Sequence, residues 1–410
     1  MALNSTHEVL PSAVVDGHGG TLDVTILMPC LNEAETLATC IRKARGALRE
    51  SGLSGEVLVA DNGSSDGSQQ IAVEEGARLV CVSARGYGAA LNAGILEAGG
   101  DFVLIADADD SYDFFALPRF IESLRNGNDL AMGNRFRDIT PGAMPWLHRY
   151  VGNPVLSLIG RIFFNIEVRD FHCGIRAFRK DAILNLDLRT SGMEFASEMV
   201  VRAALAKLKI AEVPASLRPD GRSRRPHLKT WQDGWRHLRF LLIYSPRWLF
   251  LYPGMLAALV GLGVSAWLLQ GPKRAFGVVL DVDTLVYFLG LLIIGIQLIG
   301  FAVCGKVYAT VSGLLPPSRG VSSFLRMFPL ERTLRISALI VAMGLTGAIW
   351  SVTVWRHAAL GNLDASQMLR LTLPSMLGIF LGIEFAMLGF FLNLLTMPIR
   401  SSLRGQGDCE

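Results

Sequence analysis

Residues 102–110 read Phe-Val-Leu-Ile-Ala-Asp-Ala-Asp-Asp, an apolar run that ends on three carboxylates. A short run of this kind fits a strand buried on both faces. Successive strand side chains alternate, so Asp107 and Asp109 turn to one side while Ala108 turns away. Working outward, comparable runs stand at Val24 to Met28, Val57 to Ala60, Leu79 to Val82 and Leu130 to Met132, separated by helix-like segments. Strands alternating with helices predict an α/β domain with a mostly parallel, Rossmann-like sheet. In such sheets ligands bind beyond the carboxyl ends of the strands. Acidic residues stand there twice, as Asp61 and as the Asp107 and Asp109 pair.

Two carboxylates aimed at one point suit a hard cation, Mg²⁺ or Mn²⁺, held jointly with substrate phosphates. The alternative for this segment alone is an acidic turn that caps the following helix. Asp61-Asn62-Gly63-Ser64-Ser65-Asp66-Gly67 is a tight, donor-rich turn in which Asp61 could accept from ribose hydroxyls or a base edge. Arg85-Gly86-Tyr87-Gly88 precedes a helix and could bring its amino end to a diphosphate. Taken singly, each of these two segments is an ordinary turn.

The chain has 410 residues, of which 51% are hydrophobic, too apolar for one ordinary soluble domain. Its net charge of +3 gives no reason to expect nucleic acid, so anion recognition must come from local clusters. Cys30, Cys40, Cys81, Cys173, Cys304 and Cys409 follow no metal-ligand or disulfide spacing and read as free thiols in a reducing compartment. Residues 1–20 lack the basic and apolar regions of a signal peptide and are expected to form a flexible tail. The Asn4-Ser5-Thr6 triplet in that tail is read as a chance match.

Beyond Pro246 the apolar runs lengthen. Four of them, roughly Leu249 to Gln270, Thr284 to Gly305, Ile336 to Trp355 and Leu371 to Met397, reach the ~20 residues that a membrane-crossing helix needs. The loop between the second and third carries Lys306, Arg319, Arg326, Arg332 and Arg335, whereas the outer loops carry only Lys273 with Arg274, and Arg356 with Arg370. With Lys229, Arg236, Arg239 and Arg247 before the first span, this pattern predicts cytoplasmic termini and a cytoplasmic α/β domain. The expected organisation is a tail over 1–20, the α/β domain over 21–228, a juxtamembrane interfacial helix over 229–250, four membrane helices over 251–400 and a tail over 401–410.

Between Trp146 and Phe163 apolar residues recur at Leu147, Val151, Val155, Leu158, Ile159 and Ile162, one face of a helix. That face either packs on the sheet or lies in a membrane surface with Arg149 near a lipid phosphate. Trp231, Trp235, Trp248 and Tyr252, interleaved with arginines, read as an interfacial belt. Glu384 inside the fourth span suggests either a function or a protonated packing role. Gly378 and Gly382, four apart, favour close helix packing within or between protomers, and a homo-oligomer is one expectation.

Taken together, Pro29-Cys30-Leu31-Asn32-Glu33, Asp61 to Gly67, Arg85 to Gly88 and Asp107 to Asp109 resemble glycosyltransferase family 2 enzymes of the GT-A fold. Gly133-Asn134-Arg135, Asp170-Phe171-His172-Cys173-Gly174-Ile175-Arg176 and Arg218-Pro219-Asp220-Gly221-Arg222-Ser223-Arg224 narrow the likeness to the dolichol- or polyprenyl-phosphate mannose and glucose synthases. The resemblance implies that Pro29, Asn32, Glu33, Asp61, Gly63, Arg85, Gly86 and Asp107 bind a nucleotide sugar. It implies that Asp107, Asp109 and Ser111 face the metal, and that Arg135, Arg149, Arg218, Ser223 and Arg224 greet the acceptor phosphate. Asp107, Asp109 and Arg135 are the implied catalytic residues. The chain departs from the group at Ser111, often Gln, at Asn62, usually a second acid, and at Tyr87, commonly Lys.

The implied activity is a metal-dependent, inverting transfer of one sugar to a polyprenyl phosphate, with UDP-glucose the donor of first choice and GDP-mannose close behind. A bacterial inner membrane is the expected location. One rival is a processive polysaccharide synthase, whose Gln-x-x-Arg-Trp signature is incomplete here because Tyr244 precedes Arg247-Trp248 where Gln should stand. The other is a nucleotide-binding scaffold whose acidic turn is vestigial.

Overall fold

The structure is a computed structural model that describes residues 8–10, 22–223, 230–275, 277–316, 319–357 and 364–397. The Asn4 triplet, Arg224, Cys409 and the tail over 401–410 lie outside the described residues. The chain forms two compact units, one ending at Leu241 and the other beginning at Leu242.

The first unit holds eight strands: β1 (Glu8–Leu10), β2 (Leu22–Cys30), β3 (Gly55–Asp61), β4 (Arg78–Cys81), β5 (Gly100–Ile105), β6 (Leu130–Ile139), β7 (Arg176–Arg179) and β8 (Ile210–Leu217). They form one sheet in the order β1-β4-β3-β2-β5-β7-β6-β8. β4, β3, β2 and β5 run parallel, as do β6 and β8, whereas β7 is antiparallel to both neighbours. The expected alternation of strand and helix therefore accounts for the parallel half. Two strands escape it: β7 is a four-residue Arg-Ala-Phe-Arg segment without β-branched residues, and β8 contains Pro214. Glu8–Leu10, expected in a tail, pairs antiparallel with β4.

Helices α1 (Leu37–Ser51), α2 (Ser68–Glu74), α3 (Tyr87–Glu97), α4 (Leu117–Arg125), α5 (Asn153–Phe164), α6 (Lys180–Leu184), α7 (Phe195–Leu205) and α8 (Thr230–Ile243) complete the α/β architecture. In α1 the buried residues Leu37, Cys40, Ile41, Ala44, Ala47 and Leu48 recur at helical spacing. They pack on Val24, Ile26, Met28 and Val59 from the sheet, and Phe114, Phe120 and Leu124 extend the same core under α4. The register sets Cys30 beside Asp61 and Leu27 beside Ile105. The ends of β2, β3 and β5 consequently open on one edge of the sheet.

The second unit contains four helices long and apolar enough to cross a membrane, over Arg247–Leu269, Val282–Val311, Leu330–His357 and Ala365–Thr396. The last three define α10, α12 and α13, α9 is Tyr252–Leu269, and a short α11 spans Arg319–Met327. α12 and α13 approach closely through small residues. A Cβ on Gly344 would stand 2.7 Å from the Ile379 nitrogen, and one on Gly382 would stand 2.5 Å from Val341 Cγ2. Ser337 on α12 donates to the Gly382 carbonyl. Gly378 also faces Gly344, so the expected small-residue contact is made within one chain.

Candidate active site

The turn after β5 carries Asp107 to Ser111 and is clasped from two sides. Thr36, at the start of α1, donates its hydroxyl to the Ala108 carbonyl at 2.7 Å. From the segment after β8, the Gly221 amide donates to the Asp109 carbonyl at 2.9 Å and the Arg218 amide to the Ser111 carbonyl at 3.0 Å. Asp110 takes the left-handed conformation that short polar side chains tolerate, and Lys43 pairs with its carboxylate at 2.6 Å.

Both carboxylates of the pair are held by named partners. Asp107 Oδ1 accepts from the Tyr87 phenol at 3.1 Å, and Oδ2 lies so near Gly174 that a Cβ there would stand 2.3 Å from it. Asp109 Oδ1 accepts from the Ser111 amide and hydroxyl, at 3.1 and 2.5 Å, and Oδ2 accepts from Arg222 Nη2. Arg222 Nη1 bonds Glu33 Oε1 at 2.9 Å, and its Nε stands 3.4 Å from Asp220. Burial, and then the charge of Asp109, raise the Asp107 carboxyl above its ordinary range, while Tyr87 and Arg222 pull it back. Burial works against the Arg222 charge, and Asp109, Glu33, Asp220 and Asp107 outweigh it.

The remaining expected donor-site residues gather nearby. Asn32 has a left-handed φ of 57°, accepts on Oδ1 from the Ser65 amide and donates its own backbone amide to the Ser64 hydroxyl, both at 2.8 Å. Pro29 lies in β2 one residue before its end. Gly63 has a φ of 89° and closes the turn after β3. Gly86 has a φ of 132°, and a Cβ there would stand 2.1 Å from the Ser191 carbonyl, so only glycine fits. Its amide donates to Asn62 Oδ1 at 2.6 Å, while the Asn62 amide donates to the Val82 and Ala84 carbonyls. Arg85 is exposed. An open cleft of about 340 Å³ is lined by Asn32, Glu33, Glu35, Ser65, Asp66 and Arg222.

Several of the expected site residues make internal contacts. Asp61 is fully buried, and its Oδ2 accepts from the Gly63 and Ser64 amides and from Gln69 Nε2, so a ribose contact requires an exchange of these bonds. Ser111 donates its hydroxyl to Asp109. Arg135 is buried and forks onto Asp170, with Nε and Nη2 each 2.8 Å from a carboxylate oxygen. Its pairing anchors the segment that carries Gly174 against Asp107. Ser223 bonds Glu35, Arg218 is exposed, and the Arg149 guanidinium lies 5.4 Å over the Tyr150 ring.

Arg222, Arg176 and Tyr87 were not singled out from sequence as site residues. Arg222 sits among acids far away in the chain, which only the fold brings together. Arg176 is buried, donates to the Cys173 and Ala196 carbonyls, and bears on Asp107 electrostatically. Tyr87 was read only as a departure from the usual lysine, although a phenol on the first turn of a helix facing a carboxylate is an available donor.

Two hard carboxylates fit Mg²⁺ or Mn²⁺, which need few protein ligands when phosphates and water complete the shell. Among the described residues no group of three His, Cys, Asp or Glu stands close enough to cage a metal unaided. Such a donor set suits a cation that arrives with a phosphate-bearing substrate.

Residues 25–186 match Glycosyl transferase family 2, and residues 303–396 match the Glycosyltransferase family 2 C-terminal transmembrane region. The low-salt glycan biosynthesis hexosyltransferase Agl6 of Haloferax volcanii is 37% identical over 78% of this chain and 77% of its own. The chain belongs to glycosyltransferase family 2. Within this family, the glycosyltransferase AglJ of the same organism is 31% identical over 68% of this chain and 91% of its own. A dolichyl-phosphate hexose transferase, also from Haloferax volcanii, is 30% identical over 48% of this chain and 83% of its own. The family 2 assignment makes the sheet with its acidic turn a GT-A catalytic domain. Together with the four apolar helices, the transmembrane-region match makes the protein an integral membrane glycosyltransferase.

Proposed function

We propose that this glycosyltransferase moves one hexose from a nucleotide sugar to a polyprenyl phosphate, inverting the anomeric carbon, at the cytoplasmic face of a membrane. The observation that carries the reading is the cluster at the end of β5, where Asp107 and Asp109 stand with Arg222 and Glu33 beside an open polar cleft. A divalent cation at Asp107 and Asp109 would supply Lewis-acid neutralisation of the departing diphosphate. The chain's own residues do the rest. Tyr87 and Gly174 fix the Asp107 carboxylate, Ser111 fixes Asp109, and Asn32, Gly63 and Gly86 shape the backbone that receives the nucleotide.

A polyprenyl phosphate is a phosphate monoester with a second pKa of about 6, so the attacking oxygen is largely ionised at neutral pH. No strong general base is required, and alignment of two anions becomes the main task. Arginine suits it because its fork meets phosphate oxygens in pairs. Arg149, Arg218 and Arg224, with Ser223, are the proposed acceptor contacts, and Arg135 contributes by positioning the Gly174 segment through Asp170.

The membrane reading of the helix face is supported by its exposure. Trp146 is 68% exposed and Leu158 and Ile162 are each 50% exposed, whereas Ser157 and Gly160 on the other side of α5 are buried. α5 thus packs on the domain with one face and leaves an apolar face open beside Arg149. Trp231 on α8, 81% exposed, adds an amphipathic anchor of the kind that favours a bilayer interface.

The test is a transfer assay in detergent with undecaprenyl phosphate, a panel of nucleotide sugars beginning with UDP-glucose, and Mg²⁺ or Mn²⁺. A singly glycosylated, organic-soluble lipid is expected, lost on EDTA and reduced about 100-fold or more by Asp109→Ala. A polymer insoluble in organic solvent, or turnover indifferent to both EDTA and Asp109→Ala, would overturn the reading.

A further inference from the structure

Arg222 lies where a positive charge is wanted most. Its two terminal nitrogens bridge Asp109 Oδ2 and Glu33 Oε1, carboxylates that come from different strand ends, and its side chain is only 12% exposed. The other oxygen of Asp109 is already engaged by the Ser111 amide and hydroxyl. A cation ligated through Asp109 must therefore share an oxygen with one of these partners, and a guanidinium and a divalent ion repel each other at such range. Ser111 is neutral and can remain. Arg222 cannot remain without a large electrostatic cost.

We infer that Arg222 is a built-in stand-in for the cation: it bridges Asp109 and Glu33 and offsets part of their charge in the empty enzyme, and it must release them before a divalent ion can bind. This inference rests on the divalent-metal reading given above. The backbone of Arg222 is held independently of its side chain, by Gly221 on the Asp109 carbonyl and by Ser223 on Glu35, so release is a side-chain rotation. Arg222 also lines the cleft at the strand ends, and a nucleotide diphosphate arriving there offers the displaced guanidinium a new anion.

Metal and diphosphate then bind with positive coupling: each lowers the cost of the other's binding, and by the same factor in either order. Metal alone meets a competitor that is part of the protein. Bridging them in the empty site also avoids leaving two buried carboxylates unpaired.

The experiment is Mn²⁺ binding to the full-length protein in detergent, read from the electron paramagnetic resonance signal of free Mn²⁺, with and without UDP. No turnover is involved. In the wild type, UDP should tighten Mn²⁺ binding by about tenfold or more. Arg222→Gln should bind Mn²⁺ alone about tenfold more tightly than the wild type, with the effect of UDP shrinking correspondingly. Arg222→Lys keeps the charge but cannot span both carboxylates, so it too should bind Mn²⁺ alone more tightly. If Arg222→Lys matches the wild type, or if UDP leaves Mn²⁺ binding to the wild type unchanged, the stand-in role is wrong. If no form binds Mn²⁺ even with UDP, the metal reading fails together with it.

Discussion

Tyr87 on the first turn of α3 donates its hydroxyl to Asp107 at the tip of β5 across 3.1 Å. The phenol does for the carboxylate what a lysine in its place would do with a full charge, and it leaves the net charge of the site more negative. Tyr87→Phe removes one hydrogen bond to a charged acceptor, a loss of about 1.5 kcal/mol. The expected result is a roughly tenfold fall in kcat/KM. It should come with a higher Mg²⁺ requirement, both read from initial rates at varied Mg²⁺. Unchanged kinetics would show that Asp107 is oriented by Gly174 and its surroundings alone.

The Arg135 and Asp170 pair is fully desolvated on the acid side and nearly so on the base side. Asp170→Ala strands a buried guanidinium and is expected to cost about 3–5 kcal/mol of stability. The double variant Arg135→Met/Asp170→Leu should recover much of that loss while activity stays low, because the segment bearing Gly174 is no longer anchored. Thermal melting and turnover, measured on the same preparations, separate the two effects.

His172, Ser197 and His237 form a buried chain, with His237 Nδ1 at 2.9 Å and His172 Nε2 at 3.3 Å from the serine hydroxyl. Burial lowers both imidazoles. His237 falls to about 4 despite Asp233 and Glu194, and His172 is lowered further by His237, Arg135 and Arg176. Between the ordinary value of 6.5 and about 4 the unfolded chain binds a proton that the folded chain refuses, so stability declines as pH falls through that window. For His237 alone the loss amounts to about 3 kcal/mol. Melting temperatures from pH 7.5 to 4.5 should drop, and His237→Gln should flatten the drop. A parallel curve for the variant would remove His237 as its cause.

The contact between α12 and α13 leaves no room at Gly382. Gly382→Leu forces the helices apart and loses the bond from Ser337, with an expected cost of about 1–3 kcal/mol. A lowered melting temperature in detergent with unaltered Mn²⁺ binding would place the damage in the helix pair. Gly263, beside which a Cβ meets open space, is the control position.

Much of this fold was legible because its core strands are apolar runs ending in polar turns, a pattern that the parallel half of the sheet imposes on Val57 to Ala60 and Phe102 to Ala106. The four spans were equally plain, since the hydrocarbon interior tolerates no other composition. β7 and β8 were not, because an arginine-bounded strand and one interrupted by proline owe their pairing to tertiary context. At the site, Asp107 and Asp109 could be named from their place at a strand end, and Glu33 from the family resemblance. Arg222 could not be told apart from Arg218, since nothing local distinguishes an arginine that folds back onto acids from one that points outward. Asp61 poses the converse difficulty. Its place after a strand suggested a ligand, yet the amides of its own turn use its carboxylate first.

Asn62 precedes a glycine, a junction prone in loose chains to lose ammonia when the glycine nitrogen attacks the side-chain amide. Here that amide is tied to Val82, Ala84 and Gly86, and the nitrogen of Gly63 is engaged by Asp61. The clasp that shapes the turn after β3 thereby also acts as a preservative. Conversion to aspartate would set a carboxylate against two carbonyls, so partial unfolding would let the enzyme age chemically beside its own substrate cleft.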